Sequence, residues 1–350
     1  MMSIPLNRRQ FLTAFAASLL VAPASATARS QPERTPVKPP PLQVGDTIAL
    51  VSPASFVEVE DVLAIRQTLT RLGLRVKLGR HALDRNGYLA GSDRDRADDL
   101  NGAFADPEVR AILAMRGGWG CNRILPQLDY DRIRAHPKVF MGYSDITSLL
   151  LAFYSRAGLV SFHGLTGISR WEPPSIQAFQ RVCFAGEQVV WQNPPTSPIR
   201  TLTGGRARGR LVGGNLSVLA AMVGSGYLPD WRGKILFVEE IGEEVYRIDR
   251  LLTQLQLAGI LERLQGFIFG QCLNCQPEEP DKSLSLIKVL RDRIEPLGIP
   301  AWYGAEIGHI RNQFILPVGI EVEIDADRGT IQLLESPVGD GAQAGFPSQS

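Results

Sequence analysis

The sequence predicts an α/β protein built on a parallel sheet with helices on both faces. Three observations carry this prediction. Short apolar runs alternate with stretches of helical periodicity from Asp46 to Ser155. Thr47–Val51 and Val109–Met115 are apolar almost throughout, as strands covered on both sides are. The length, 350 residues, exceeds one small domain and suits one large or two medium ones.

Thr47–Val51 reads as the first strand, ended by Ser52-Pro53. Val62, Ile65, Leu69 and Leu72 recur at helical spacing, and Gly73 closes that helix. Arg75–Leu78 is the next strand, Ala97–Phe104 a helix, Val109–Met115 a buried strand and Val139–Gly142 another. A helix runs from about Asp145 to Ser155. The pattern breaks after Trp171. Residues 172–206, with Pro173-Pro174, Pro194-Pro195 and Gly204-Gly205, read as an inter-domain linker. Beyond it the sequence predicts helices at Leu216–Val223, Val245–Leu261 and Leu284–Ile294, with strands at Lys234–Val238 and Leu264–Gly270. Ile320–Ile324 and Thr330–Leu334 flank Asp327-Arg328-Gly329 as a hairpin. The expected domains are therefore 42–171 and 207–337, followed by a flexible tail at 338–350.

The N-terminus carries Arg8-Arg9-Gln10-Phe11-Leu12, an apolar stretch to Val21, and small residues that set up cleavage after Ala28. That is a twin-arginine export signal over residues 1–28, too short to span a bilayer. A proline-rich linker follows at 29–41. The chain is thus expected in the periplasm, with no stable membrane association after signal cleavage. The near-neutral net charge, +1, leaves no electrostatic footprint for nucleic acid. Cys272 and Cys275 are spaced for a metal or a local disulfide, but no second pair or nearby histidine completes a zinc site. They read as buried, unpaired small hydrophobes, and neither metal nor cofactor is expected.

Gly142-Tyr143-Ser144-Asp145 lies where a strand turns into a helix. A serine there is presented above the sheet, with backbone N–H groups beside it to receive a developing oxyanion. Ile146 stands where a nucleophile elbow has its second glycine, so by itself Ser144 reads as a helix cap before it reads as a nucleophile. Arg116-Gly117-Gly118-Trp119-Gly120 follows the strand Val109–Met115, at the carboxyl edge where open parallel sheets bind ligands. A base for Ser144 must come from His81, His136, His163 or His309. His136 and His81 sit in loops, while His163 and His309 both remain eligible. Glu239, Glu240, Glu243 and Glu244 are the candidate carboxylates. Glu239 continues a strand, whereas Glu243 and Glu244 open a helix, where acids are favoured by the dipole alone.

Taken in order, these segments resemble the LD-carboxypeptidase family of serine peptidases, which includes the microcin C self-immunity peptidases. The resemblance rests on Gly45-Asp46, Ser52-Pro53, Tyr88-Leu89-Ala90-Gly91, Arg116–Gly120 and Gly142–Thr147. It continues through Gly213-Gly214-Asn215-Leu216, Phe237–Glu240, Tyr246–Arg250 and Gly308-His309, spanning about residues 41–335. It implies an N-terminal flavodoxin-like parallel-sheet domain and a C-terminal swivelling β/β/α domain, often dimeric. It implies a triad of Ser144, Glu239 and His309, with backbone amides of Asp145 and Gly117-Gly118 as the oxyanion hole. Arg116, Trp119 and His163 are candidate substrate contacts, and Arg247 and Arg311 join Arg116 as candidates for gripping a terminal carboxylate. The activity implied is cleavage of an L,D-amide in a murein peptide with release of D-alanine. Two alternatives are hydrolysis of aminoacyl- or peptidyl-nucleotide amides, and a periplasmic peptide-binding protein that cleaves nothing.

Overall fold

Residues 34–339 are described by the computed structural model of the chain. The expected export signal, the expected linker residues before Arg34 and the expected tail beyond Gly339 lie outside the described residues.

The first sheet forms from five short parallel strands, β1 (Thr47–Val51), β2 (Arg75–Leu78), β3 (Val109–Ala114), β4 (Val139–Gly142) and β5 (Ser161–His163). They lie in the order 2-1-3-4-5, which is the flavodoxin-like order. β1 and β4 are buried along their whole length, so both faces need cover. Helices α1 (Val59–Arg71), α2 (Asp93–Ala105), α3 (Cys121–Ile124), α4 (Tyr130–Ala135) and α5 (Thr147–Ala152) alternate with the strands. α2 starts where the Ser92 hydroxyl accepts the Asp95 N–H at 3.2 Å. Its Ala97, Leu100, Ala103 and Phe104 face the core, each large apolar side chain contributing about 1.5–3 kcal/mol on burial.

The second sheet has eight strands. β6 (Val190–Gln192), β7 (Arg200–Thr203), β8 (Arg206–Asn215), β9 (Lys234–Ile241), β10 (Gly266–Leu273) and β11 (Ala301–Ala305) come first in the chain, and β13 (Glu321–Asp325) and β14 (Thr330–Leu333) last. Their order is 6-14-13-8-9-10-11-7. β8 to β11 are parallel and the flanking strands antiparallel. α7 (Leu216–Ala221) and α9 (Leu286–Ile294) both pack on α8 (Val245–Leu257), which turns Val245, Ile248, Leu252 and Leu255 inward.

Several expectations change. The 172–206 stretch is not a linker: it holds helix α6 (Pro173–Phe179) and both edge strands of the second sheet, β6 and β7. Pro173 and Pro174 sit at the start of α6, where a missing N–H costs nothing. The expected C-terminal domain is not self-contained either. β12 (Leu316–Val318) leaves it to pair antiparallel with β5 in the first sheet. From Arg34 onward the proline-rich stretch is docked, with the Val37 N–H on the Gly158 carbonyl at 2.8 Å. Cys272 and Cys275 are disulfide-bonded, not unpaired. Cys121 and Cys183 are free and buried. No helix of the described residues is long and apolar enough to cross a membrane.

Candidate active site

Ser144 lies one residue beyond β4, in a single 3-10 turn, Ser144–Ile146, that leads into α5. Its φ is +65°, and among the described non-glycine residues only Asn274 shares a positive value. That conformation costs of order 1–3 kcal/mol and persists only where its surroundings hold it. The incomplete glycine pattern is explained by packing, because Ile146 lies directly over Gly142, where an added Cβ would be 2.8 Å from Ile146 Cγ2. Ser144 is therefore a residue on a strained strand-to-helix elbow and not an ordinary cap.

His309 and Glu239 meet. His309 Nδ1 is 2.8 Å from Glu239 Oε2, with Glu239 fully buried and the His309 side chain 16% exposed. A carboxylate only accepts, so Nδ1 carries the proton and Nε2 keeps its lone pair. Burial alone would lower the His309 pKa, but the hydrogen bond and charge of Glu239, with a smaller push from Glu240, hold it above the ordinary value. The Tyr143 ring packs edge-on against His309, centroids 4.9 Å apart, which sets the imidazole beside the residue that precedes Ser144. Gly308 is tight for the same reason. Its φ is +103°, and any Cβ there would overlap Glu239 Oε2.

Glu240 points elsewhere. Its carboxylate accepts from Asn215 Nδ2 at 2.9 Å and from the backbone N–H groups of Ser217 at 2.8 Å and Ile241 at 3.0 Å. Burial raises its pKa, against the pull of these hydrogen bonds. It anchors the start of α7, while Asn215 N–H donates to Thr147 Oγ1 at 2.8 Å and so ties β8 to the helix behind Ser144. Period-two alternation along β9 separates the two glutamates onto opposite faces.

The remaining candidates disperse. His163 is fully buried, between Tyr143 and Phe237, and so is neither a base nor a contact for a substrate arriving from solvent. Burial pushes its pKa down to about 4, against the pull of the Glu239 charge. His81 pairs with Asp84 at 2.8 Å. With Asp95 these two residues form the group of metal-ligand spacing found among the described residues, and none of them belongs to the Ser144 cluster. Arg311 is paired with Glu172 at 2.7 Å, and Arg247 leans on Tyr246 and Glu243. Arg116 stays exposed at the end of β3, reaching the Phe56 carbonyl at 3.4 Å. Next to it Trp119 is 64% and Tyr88 60% exposed, edge to face at 6.3 Å. Gly117 touches the elbow, since a Cβ there would lie 2.8 Å from Ser144 Cβ.

Sequence models of the LD-carboxypeptidase N-terminal and C-terminal domains match residues 48–164 and 208–324. A probable murein peptide carboxypeptidase of Bacillus subtilis is 39% identical over 310 residues, 87% of this chain and 96% of that protein. The chain belongs to the LD-carboxypeptidase family. A murein tetrapeptide carboxypeptidase of Pseudomonas aeruginosa is a further relative of this LD-carboxypeptidase, 32% identical over 80% of this chain and 94% of its own. The structure of the microcin self-immunity protein MccF in complex with glutamyl sulfamoyl guanosine superposes with a TM-score of 0.80 at 26% identity, covering 87% of this chain and all of that one. The resemblance, the two-part α/β fold and the enzyme class expected from the sequence all stand, and the reading as a binding protein without activity falls.

Three roles in this LD-carboxypeptidase were not legible in its motifs: Tyr143 as the packing partner of His309, Glu240 as an anchor, and Arg96 as a buried cation. Arg96 had a signal. It shares a helical face with Leu100 and Ala103.

Proposed function

We propose that this LD-carboxypeptidase hydrolyses an L,D-amide in murein tetrapeptides, releasing terminal D-alanine through a Ser144–His309–Glu239 triad. The observation that supports it most is the buried Glu239–His309 pair at 2.8 Å, set against Tyr143 beside a serine held at positive φ. Ser144 Oγ attacks the scissile carbonyl carbon while His309 Nε2 takes its proton. Backbone N–H groups of Gly118 and Asp145, at the Gly117-Gly118 turn and the elbow, receive the oxyanion. Collapse breaks the C–N bond, and His309 gives the proton to the departing D-alanine amine. Water, deprotonated by the same imidazole, then cleaves the Ser144 ester and frees the tripeptide. Arg116 and Trp119 line the approach. The twin-arginine signal supports a periplasmic workplace, and the family resemblance supports a homodimer.

The likeness to MccF favours one second reading, in which the acyl group is carried on a nucleotide amide. Mature protein given a murein tetrapeptide with excess chelator, in parallel with a glutamyl sulfamoyl nucleoside, separates the two by mass spectrometry. Tripeptide plus D-alanine is expected. Cleavage of the nucleoside amide alone would overturn the murein assignment, and loss of activity in chelator would overturn the metal-free route.

The base must be neutral to act, and His309 titrates above the ordinary histidine value. The acidic limb of kcat/KM is therefore expected to lie above pH 6.5 and activity to rise as pH increases through it. A limb at or below the ordinary value would contradict the Glu239 coupling.

A further inference from the structure

We propose that Arg96 is a positioning residue that presets the oxyanion-binding turn by tying together the two strand ends that flank it. The proposal rests on the triad reading above. Arg96 lies in α2, and its side chain is fully buried. Its Nη1 donates to the Pro53 carbonyl and, at 3.0 Å, to the Gly120 carbonyl, while Nη2 pairs with Asp93 Oδ1 at 2.5 Å. Pro53 lies just past the end of β1, and Gly120 closes the turn after β3. β1 and β3 are neighbours at the point where strand order reverses, the crevice in which sheets of this type hold ligands. One guanidinium, whose planar fork can serve several acceptors at once, therefore spans the floor of that crevice.

The rest of the turn is clamped in the same sense. Ser52 Oγ donates to the Ala82 carbonyl at 2.8 Å, and the Ala90 N–H donates to the Ala54 carbonyl at 2.9 Å. This fixes Ser55, whose N–H donates to the Gly117 carbonyl at 3.2 Å. In a trans peptide the C=O and the following N–H point in opposite directions. With the Gly117 carbonyl turned to Ser55, the Gly118 N–H is turned to the other face, and Gly117 itself packs on Ser144. Gly118 has φ +115°, and a Cβ there would overlap Ser55 Oγ, so the turn accepts only glycine. At its far end the Cys121 N–H donates to Asp145 Oδ2 at 2.8 Å, which joins the turn to the nucleophile elbow. Arg96 thus holds the donor peptide through Gly120 on one side and through the Pro53–Ser55 segment on the other. Burying a guanidinium is expensive, and its two carbonyl acceptors and Asp93 offset that cost.

Arg96→Lys keeps the charge and loses the fork. With a murein tetrapeptide as substrate, kcat is expected to fall by about 10²–10³, as for loss of an oxyanion donor, with KM changed less than about threefold. The rate at which a fluorophosphonate labels Ser144 should fall in parallel. Should that variant fail to fold, Asp93→Asn loosens the guanidinium without removing it, and a smaller drop in kcat at constant KM is expected. Wild-type kcat and labelling rate in a folded Arg96→Lys, or in Asp93→Asn, would overturn the proposal, as would a rise in KM with kcat intact. A wild type that labels at Ser144 but leaves the tetrapeptide uncleaved removes only the substrate assignment, and the labelling rates then decide the role of Arg96. A wild type that neither labels nor cleaves overturns the triad and this inference together.

Discussion

Ser144→Ala is expected to lower kcat by about 10⁵–10⁶ with KM little changed, the loss seen when a peptidase nucleophile is removed. The effect is this large because no other group on the elbow can take the acyl chain. Asp145 is buried with its carboxylate on the Cys121 N–H, and Tyr143 is engaged against His309. Folding should survive the change, since Ser144 sits at positive φ and alanine pays a conformational cost similar to that of serine there. Steady-state kinetics beside a thermal melt check both halves. A folded Ser144→Ala enzyme within about tenfold of wild type would remove Ser144 as nucleophile.

Glu239→Gln should cost about 10⁴ in kcat, roughly 5 kcal/mol of transition-state stabilisation. An amide beside His309 Nδ1 can donate as well as accept, so the tautomer with a free Nε2 loses its enforcement, and the imidazolium formed on proton transfer loses its counter-charge. Glu240→Gln separates the two neighbours. It keeps one acceptor oxygen and turns an NH2 toward either Asn215 Nδ2 or the Ser217 N–H, which now sit on different oxygens, so its expected effect is a lower melting temperature with kcat within about tenfold. Reversed outcomes for the pair would mean that Glu240, and not Glu239, serves the histidine.

The fold was legible where a single residue pattern decided it. β1 and β4 fall on the residues their apolar runs mark, β2 falls on Arg75–Leu78 as expected although it is a mostly exposed edge strand, and Val62, Ile65 and Leu69 form the core face of α1. β8 was hidden because Arg206-Ala-Arg-Gly-Arg alternates charge on its exposed face and ends in Gly213-Gly214, which reads as a loop. Those glycines serve close approach: a Cβ on either would overlap the Phe237 carbonyl or Thr147. β12 was hidden because three residues, Leu316–Val318, crossing back to another sheet leave no periodic signal.

The site was legible by chemistry only in part. Residue types nominated Ser144 and left His163 and His309 level. The family motifs chose His309, and burial then explains the choice, since His163 is sealed behind Tyr143 while His309 keeps an edge in solvent. The slip between Glu239 and Glu240 was open in sequence because adjacent glutamates look alike there. The facing directions of a strand separate them. Arg96 was missed because a charged residue in a polar helix reads as surface until the three carbonyl and carboxylate oxygens around it are seen.

The central claim is that Ser144 carries the acyl group, and trapping that intermediate tests it most directly. Mature enzyme mixed with excess murein tetrapeptide and acid-quenched within a turnover should yield, on peptide mapping by mass spectrometry, the tripeptide acyl mass on Ser144. The adduct should build up in Glu239→Gln if deacylation is slowed more than acylation, and it should be missing from Ser144→Ala. Turnover to tripeptide and D-alanine with the adduct on another residue, or with Ser144→Ala still cleaving, would contradict the account.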